Sequence, residues 1–459
     1  MKLLLLLTIF INSKISVLDI ETINHEMPAY SVVYAPEGCI GTSITDNQYV
    51  PGRMTMTLHG DTLYDSKEYE KDVSGMRIKV RGNSTGAFMA QHPYKIKLSK
   101  KYDLLHRDDK AYRHKEWLLL PMYVWNKKMT NQESNILNIA GLTVSRIIGM
   151  PWTPEYDFVN VTINGEYQGM YYLIEPVSRG EKRVNIDDTG FLIEHDTFWW
   201  NEETYFKTDR QISTCAYTYK YPDSDDVTED IQSAMIRDMN EAEKLIYENG
   251  DIRLAIDVES FAKWILVHDI LGTDDTAGCN RFLCRKSDAS PLEMGPTWDY
   301  DSSFRSDDWS TQHISSWFYY PQLFQNKDFV NVYISLWNNI RPTLMDQITT
   351  AFDEVWQKYG QVFDENMKIH QTVYPDEGHQ ALKAQIDEVL ERFNERITIL
   401  DNLMTQYDTS NLIKTTSQRP FTTGITDMMG RKCQHKNNVP KGFYLYQYDD
   451  GTIKKKIVK

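Results

Sequence analysis

The chain has 459 residues, and its 41% hydrophobic content, with 11 Trp and 28 Tyr, is enough to build sizeable cores. A formal net charge of −15 argues against a general nucleic-acid-binding protein, which usually presents a basic face, and against electrostatic docking on anionic lipid. Local basic patches that bind phosphate remain compatible with this charge.

The N-terminus has the pattern of a secretory signal peptide. Lys2 precedes an apolar run over residues 3–11, and polar residues follow it. The run is too short to span a bilayer as a helix, and no other segment is long and apolar enough. We therefore expect a signal peptide over residues 1–16 and a protein that is secreted, periplasmic or at the cell surface. An ordinary N-terminal strand or helix is the alternative.

Residues 27–180 are predicted to be mainly β structure. The run 76–81 alternates apolar and basic residues, as a half-buried strand does, and the run 94–98 repeats the pattern. Asn164-Gly165 lies between two apolar runs and is typical of a β-hairpin turn, because its positions tolerate positive φ. A helical spacing of apolar residues over 131–148 interrupts these strands.

From about residue 227 the sequence predicts helices, so the expected class is α+β, with a β-rich N-terminal half and a helical C-terminal half. Thr228 is a candidate cap of the first helix. The predicted helices run to Tyr247, then over 257–271, 329–356 and 377–404. Residues 408–420 have the composition of a linker, and 421–459 form a short β-like tail that is too small for a core of its own.

Asp275 and Asn280 are the most informative pair of polar residues. Their D-x-x-x-x-N spacing is that of a kinase catalytic loop, in which the Asp handles the acceptor hydroxyl proton and the Asn holds a metal. Gly272 fits the end of the preceding helix. The alternative is a simple capped turn, and Asp274 is a competing acid whose spacing to Asn280 is wrong by one residue.

A second acidic pair, Asp299 and Asp301, follows Trp298. Carboxylates two residues apart at a strand end can face the same side and share a divalent cation. Asp299 is the preferred ligand, and Glu166 and Glu194 are expected to lie far from it. A surface acidic turn is the alternative, although the aromatic neighbours favour burial.

The segment Arg81 to Thr85 is a candidate phosphate loop. Gly82 stands among small polar residues, so backbone N–H groups of Gly82, Asn83 and Ser84 can approach phosphate oxygens while Arg81 adds charge. No Walker lysine is present, and an ordinary Gly-Asn turn is the alternative. On the next strand, Lys97 is the candidate for pairing with nucleotide phosphates, against the alternative of a solvated strand face.

An ordered series of short stretches resembles the CotH kinase family, the atypical spore-coat protein kinases and their relatives. The stretches are Arg81-Gly82-Asn83-Ser84-Thr85, Pro93-Tyr94-Lys95-Ile96-Lys97-Leu98, Glu116-Trp117-Leu118-Leu119-Leu120, Val159 to Glu175, Gly190 to Glu194, Tyr219-Lys220-Tyr221-Pro222-Asp223, the Asp275 loop and Trp298-Asp299.

The resemblance implies a pared-down kinase-like fold over residues 27–407. Such a protein binds ATP with magnesium, or manganese in its place, and phosphorylates Ser or Thr of secreted or coat proteins. Some relatives act as surface adhesins, so a non-catalytic binding module that keeps the fold is the rival function. The tail 421–459 is similar to C-terminal segments of secreted Gram-negative bacterial proteins, some of which are sorting signals.

The resemblance also implies roles for individual residues. Asp275 is the catalytic acid, Asp299 the metal ligand, and Lys97 the phosphate-pairing lysine. Glu175 follows a strand where a kinase hinge would lie, which places it near the nucleotide. Thr273 departs from the family pattern, which often has Asn at that position.

Overall fold

The structure is a computed structural model that describes residues 14–122, 136–273, 279–304, 318–375 and 380–407, and the backbone of three strands between 422 and 458. The elements of the first half are β1 (Ser16–Thr22), β2 (Ser31–Tyr34), β3 (Thr42–Thr45), β4 (Val50–Leu58), β5 (Asp61–Asp65), β6 (Met76–Val80), α1 (Ser84–Phe88), β7 (Tyr94–Tyr102), β8 (His114–Pro121), α2 (Leu137–Ile148), β9 (Tyr156–Ile163) and β10 (Glu166–Ile174).

Most of these strands form one sheet that closes into a barrel. Its order is β1-β9-β10-β8-β7-β6-β4, and β1 also pairs with β4, while β5 extends the sheet beside β4. β1 runs parallel to β9 and antiparallel to β4. The barrel therefore includes residues 16–22, which precede the predicted start of the domain at residue 27.

The barrel interior is apolar because strand residues alternate between its two faces. Along β6, and over residues 50–57 of β4 and 94–98 of β7, buried positions alternate with partly exposed ones. The buried set forms one hydrophobic cluster, which includes Leu18, Ile20, Met54, Met56, Met76, Ile78, Ile96, Trp117, Val161 and Leu173.

The predicted hairpin between β9 and β10 is confirmed. The two strands pair antiparallel, from Glu166 opposite Ile163 to Ile174 opposite Tyr156. Asn164 and Gly165 both have positive φ, 53° and 79°, as a tight two-residue hairpin turn requires.

The second half adds a smaller antiparallel sheet and most of the helices. Its strands, β11 (Phe191–Asp196), β12 (Tyr205–Phe206), β13 (Ala216–Tyr221), β14 (Arg281–Arg285) and β15 (Glu293–Met294), follow the order β12-β13-β11-β14-β15. The helices are α3 (Glu229–Tyr247), α4 (Val258–Leu271), α5 (Tyr320–Leu323), α6 (Lys327–Ile340), α7 (Leu344–His370) and α8 (Leu382–Met404). A second hydrophobic cluster joins them to Leu118, Phe158 and Tyr172 on the outside of the barrel.

The predicted boundaries of α3 and α4 are confirmed by their caps. The Thr228 hydroxyl accepts a hydrogen bond from the Ile231 N–H, and the Asp257 carboxylate accepts one from the Ser260 N–H. Gly272 ends α4 with a φ of 59°. These local signals therefore fix the helix that leads to the Asp275 loop.

The prediction of one helix over 329–356 was wrong. The chain forms α6 and α7 instead, with Arg341 to Thr343 between them. Pro342 has no backbone N–H, and its ring clashes with the carbonyl of the preceding turn, so a continuous helix is broken there.

The predicted α+β class is confirmed, with a β-rich N-terminal half and a helical C-terminal half, and the small second sheet is an addition to it. The β-like tail forms an antiparallel sheet in the order β16 (Thr422–Asp427), β17 (Gly442–Tyr448) and β18 (Ile453–Val458). Across the part of the chain that the structure describes, no helix is both long and apolar enough to cross a membrane.

Candidate functional site

A cavity of about 450 Å³ lies between the barrel, α2 and the second sheet. This is a usual size for a small-molecule site. Its lining comes from both halves of the chain: Ile40, Gly41, Arg81 to Thr85, Met89, Pro93, Leu120, Pro121, Asn138, Leu142, Ile174, Glu194, Asp196 to Phe198, Cys279, Asn280 and Trp298 to Asp301.

The whole predicted phosphate loop, Arg81 to Thr85, lines this cavity. It leaves β6 through Gly82, whose φ is 94° and where a Cβ would overlap the Thr85 hydroxyl, so only glycine fits the bend. The Asn83 side chain is held from behind, because its Oδ1 accepts a hydrogen bond of 2.7 Å from the Ser43 hydroxyl.

Asn280 and Asp299 meet in the same cavity. Asn280 Nδ2 donates a hydrogen bond of 3.4 Å to Asp299 Oδ2, and both residues have positive φ, 61° and 62°. Asp301 also lines the cavity. Amide and carboxylate oxygens are ligands that Mg²⁺ accepts, and Mg²⁺ takes one or two carboxylates together with substrate phosphates. The donor set therefore fits magnesium.

Tyr300, between the two aspartates, anchors this segment to α2. Its hydroxyl lies 3.0 Å from the Ser145 hydroxyl and donates to Thr297 Oγ1 at 2.8 Å. Its ring packs so closely on Gly141 that a Cβ there would overlap the ring. The helix position thus sets where Asp299 and Asp301 lie.

Sequence reasoning gave no role to three charged residues beside the loop: Glu194, Asp196 and Lys220. Glu194 Oε2 lies 3.0 Å from the Lys220 ammonium, and Glu194 Oε1 accepts a hydrogen bond of 3.1 Å from the Asn280 N–H. The expectation that Glu194 lies far from Asp299 was wrong, because β11 pairs with β14, which directly follows Asn280. The sequence did contain one signal for these acids. Glu194 and Asp196 are two residues apart on a strand, so their side chains lie on the same face of the sheet.

Burial and like charge shape the electrostatics of these acids. Burial, then the neighbouring Glu194 carboxylate, raises the pKa of Asp196 to about 7. Burial lowers the pKa of the Lys220 ammonium, but the carboxylates of Glu194, Glu202 and Asp196 outweigh it, so this pKa lies above its usual value. Lys220 is therefore a permanent cation.

Arg81 supplies a half-buried positive charge at the other wall. Burial lowers the pKa of its guanidinium, and the carboxylates of Asp299 and Glu194 act in the opposite direction. Because arginine keeps its proton in proteins, Arg81 remains a cation, and it interacts with the carboxylates of Asp299 and Glu194.

Two predicted nucleotide contacts lie outside the cavity lining. Lys97 is on the outer face of β7, 38% exposed in its side chain, with its ammonium 3.8 Å from Glu116 Oε1. Glu175 is buried and bonded on both oxygens: Oε1 accepts from Arg107 at 2.7 Å, and Oε2 accepts from the Glu155 N–H at 3.0 Å. The structure thus brings together the loop, Asn280, Asp299 and Asp301, but not Lys97 or Glu175.

Asp275 and its competitor Asp274 fall outside the described residues. The chain on either side is described: the Thr273 hydroxyl lies 2.7 Å from His268 Nδ1, and Cys279 and Asn280 line the cavity. Among the described residues, no group of three or more His, Cys, Asp and Glu side chains is placed to hold a metal.

A family model described as CotH kinase protein matches residues 78–407. The match covers well over half of the 459-residue chain. The chain belongs to the CotH kinase family. All the lining residues of the cavity except Ile40 and Gly41 fall within the CotH match. No curated protein matches the chain significantly.

Proposed function

We propose that this protein is an atypical kinase that transfers the γ-phosphoryl group of ATP to a Ser or Thr hydroxyl of another protein, on a kinase-like fold. One observation carries the proposal: the loop Arg81 to Ser84 and the Asn280–Asp299 pair, from opposite halves of the chain, line one cavity. Phosphoryl transfer depends mainly on positioning and charge neutralisation, which need this kind of arrangement.

Arg81 and the backbone of Gly82, Asn83 and Ser84 are the groups that would hold the phosphates. The glycine bend leaves the loop backbone open, and the Arg81 guanidinium adds the positive charge. Arg81 takes this role in place of Lys97, because only Arg81 lines the cavity.

Asn280, Asp299 and Asp301 are the residues that would hold Mg²⁺. When bound, the cation neutralises negative charge on the phosphates. The Lys220 ammonium holds the Glu194 carboxylate in place through their salt bridge, and Glu194 in turn fixes the Asn280 backbone through its hydrogen bond. These contacts support a fixed position for the Asn280 side chain.

Asp275 is proposed as the base that takes the proton from the acceptor hydroxyl, on the strength of its spacing to Asn280. Loss of a general base typically costs about 10²–10⁴ in rate, so we expect Asp275→Asn to retain nucleotide binding and to lose transfer on that scale. Secretion, and a secreted or surface acceptor, are part of the proposal and rest on the N-terminal pattern and the resemblance.

The decisive experiment measures the melting temperature with ATP, with and without Mg²⁺ or Mn²⁺, by linkage between binding and unfolding. We expect an increase that requires the metal, that Asp299→Asn and Arg81→Gln abolish, and that Asp353→Asn retains. Asp353 is the matched control because it is exposed on α7, away from the cavity. No increase with any nucleotide and metal would instead indicate a non-catalytic binding module.

A further inference from the structure

A second cavity, of about 530 Å³, lies beside the start of β8. Its lining is dominated by cations, with a single carboxylate, that of Glu181. The lining residues are Lys101, Lys110, Ala111, Tyr112, Arg113, His114, Arg179, Gly180, Glu181, Lys182 and Arg183. We name it the cationic cavity. Six Lys and Arg side chains around one concave site contrast with the net charge of −15.

Half of this positive charge has no compensating partner. Within the described residues, Lys101, Lys110 and Arg113 form no salt bridge, and all three are exposed. The other three cations are paired: Arg179 with Asp188 at 2.6 Å, Lys182 with Asp109 at 3.5 Å, and Arg183 with Glu175 at 3.6 Å. The unpaired cations are therefore available to a ligand.

Hydrogen bonds within the chain hold the wall of the cationic cavity behind the three exposed cations. Arg183 is 5% exposed and donates to the Ser178 hydroxyl and to the Glu116 carbonyl, both at 3.0 Å. Arg179 donates to the Ile186 carbonyl at 2.7 Å. A tight turn closes the segment, since the Gly180 N–H donates to the Val184 carbonyl at 3.1 Å.

The His114 imidazole lines the cationic cavity, and the positive charge nearby affects its pKa. Burial, then the positive charge of Arg183, lowers the pKa of the His114 imidazole to about 4. The imidazole is therefore neutral near neutral pH, and it adds a polar group to the wall without adding to the repulsion among the cations.

The cationic cavity is separate from the candidate active site, and no residue lines both. β8 connects them, with His114 at the cationic cavity and Leu120 at the other. Six residues of extended strand span roughly 20 Å. A ligand at one site is thus not in contact with a ligand at the other.

We propose that the cationic cavity binds a dianionic phosphate group, either as free inorganic phosphate or as a phosphate monoester carried on a side chain of another protein. Lys and Arg donors suit phosphate oxygens, and a dianion gains twice the Coulomb energy of a monoanionic carboxylate from the same cations. The overall negative charge argues against an extended nucleic acid, which would contact more of the surface than this one cavity. This proposal does not depend on phosphoryl transfer at the other cavity.

The test is isothermal titration of the full chain with three probes: inorganic phosphate, a phosphoserine peptide and the same peptide without phosphate. The variant Lys101→Gln/Lys110→Gln/Arg113→Gln removes the three unpaired cations, and we expect it to weaken phosphate binding by about tenfold or more. The control Arg237→Gln/Lys244→Gln/Lys368→Gln removes three exposed cations from α3 and α7, with the same change in net charge. It should retain the affinity.

Each outcome decides the proposal. Tighter binding of the phosphopeptide than of inorganic phosphate supports a protein-borne group, and equal binding supports free phosphate. Binding of neither overturns the proposal, as does equal weakening by both triple variants. Loss of phosphate binding in Arg81→Gln, with binding retained in the triple variant of the cationic cavity, would assign the anion to the first cavity and overturn the proposal too. If the triple variant does not fold, the single variants Lys110→Gln and Arg113→Gln carry the same comparison.

Discussion

Lys220 is the one cation in a salt bridge with Glu194 among the described residues, and its position depends on an irregularity of β13. Leu192 pairs with Tyr221 and Ile193 with Tyr219, so Lys220 occupies a bulge between the two pairs. A bulge re-aims a side chain, and here the ammonium reaches the Glu194 carboxylate at 3.0 Å.

We predict that Lys220→Met lowers the free energy of unfolding by about 3 kcal/mol, because it leaves buried carboxylates without a counter-charge. Urea denaturation measures the change. The control is Lys383→Met, which breaks an exposed pair with Asp387 and should cost no more than about 0.5 kcal/mol. Adding Glu194→Gln to Lys220→Met should recover part of the loss, and equal costs for the two lysines would contradict the argument.

The raised pKa of Asp196 leads us to predict that the free energy of unfolding depends on pH. Its folded-state pKa is about 7, above the usual value, so the folded state binds this proton more tightly than the unfolded state does. The contribution is fully present below about pH 4 and is lost as the pH rises through 7. Relative to wild type, Asp196→Asn should therefore become more stable as the pH rises over this range, by at most about 4 kcal/mol. Parallel pH profiles of unfolding would show that Asp196 does not titrate in this way.

At the scale of elements, the contact between α2 and the Trp298 to Asp301 segment holds the candidate metal ligands. Gly141 gives the Tyr300 ring its place against the helix, and Ser145, one turn later, bonds to the Tyr300 hydroxyl. The two sites of contact leave little freedom for the segment.

Gly141→Ala tests this contact, because two effects of opposite sign compete. Alanine favours a helix over glycine by about 1 kcal/mol, whereas overpacking against a fixed ring costs about 1–3 kcal/mol. We expect the overlap with Tyr300 to prevail, with lower stability in urea and a smaller melting-temperature increase with Mg²⁺ and ATP. In a double-mutant cycle, Tyr300→Leu should reduce the penalty; an additive cycle would place its cause elsewhere.

Elements with strong local signals could be predicted from the sequence, such as the Asn164-Gly165 hairpin and the caps at Thr228 and Asp257. The association of Arg81 to Ser84 with Asn280 and Asp299 was anticipated only through the spacing of motifs. The approach of Glu194 to Asn280 could not be predicted, because it depends on the pairing of β11 with β14, and strand pairing over such separations leaves no local pattern. The distance of Lys97 from the cavity likewise depends on register.

At the scale of the whole molecule, β16, β17 and β18 pair with one another as a separate three-stranded sheet, and the CotH match ends at residue 407. We predict that removal of residues 408–459 changes the melting temperature by no more than about 2 °C. It should also leave the effect of Mg²⁺ and ATP intact. A large loss of stability would mean that the tail packs on the rest of the chain.

The closure of the barrel by β1 and β4 has a consequence for fragments of this chain that contain only the matched region. A fragment that begins at residue 78, where the match begins, lacks β1 to β5. Its β9 and β6 would then present unsatisfied N–H and C=O groups along open strand edges, which recruit other chains and promote aggregation. The interior would also be uncovered, since Leu18, Ile20, Met54 and Met56 would be gone. In this chain the matched region, residues 78–407, therefore leaves out strands that close the barrel.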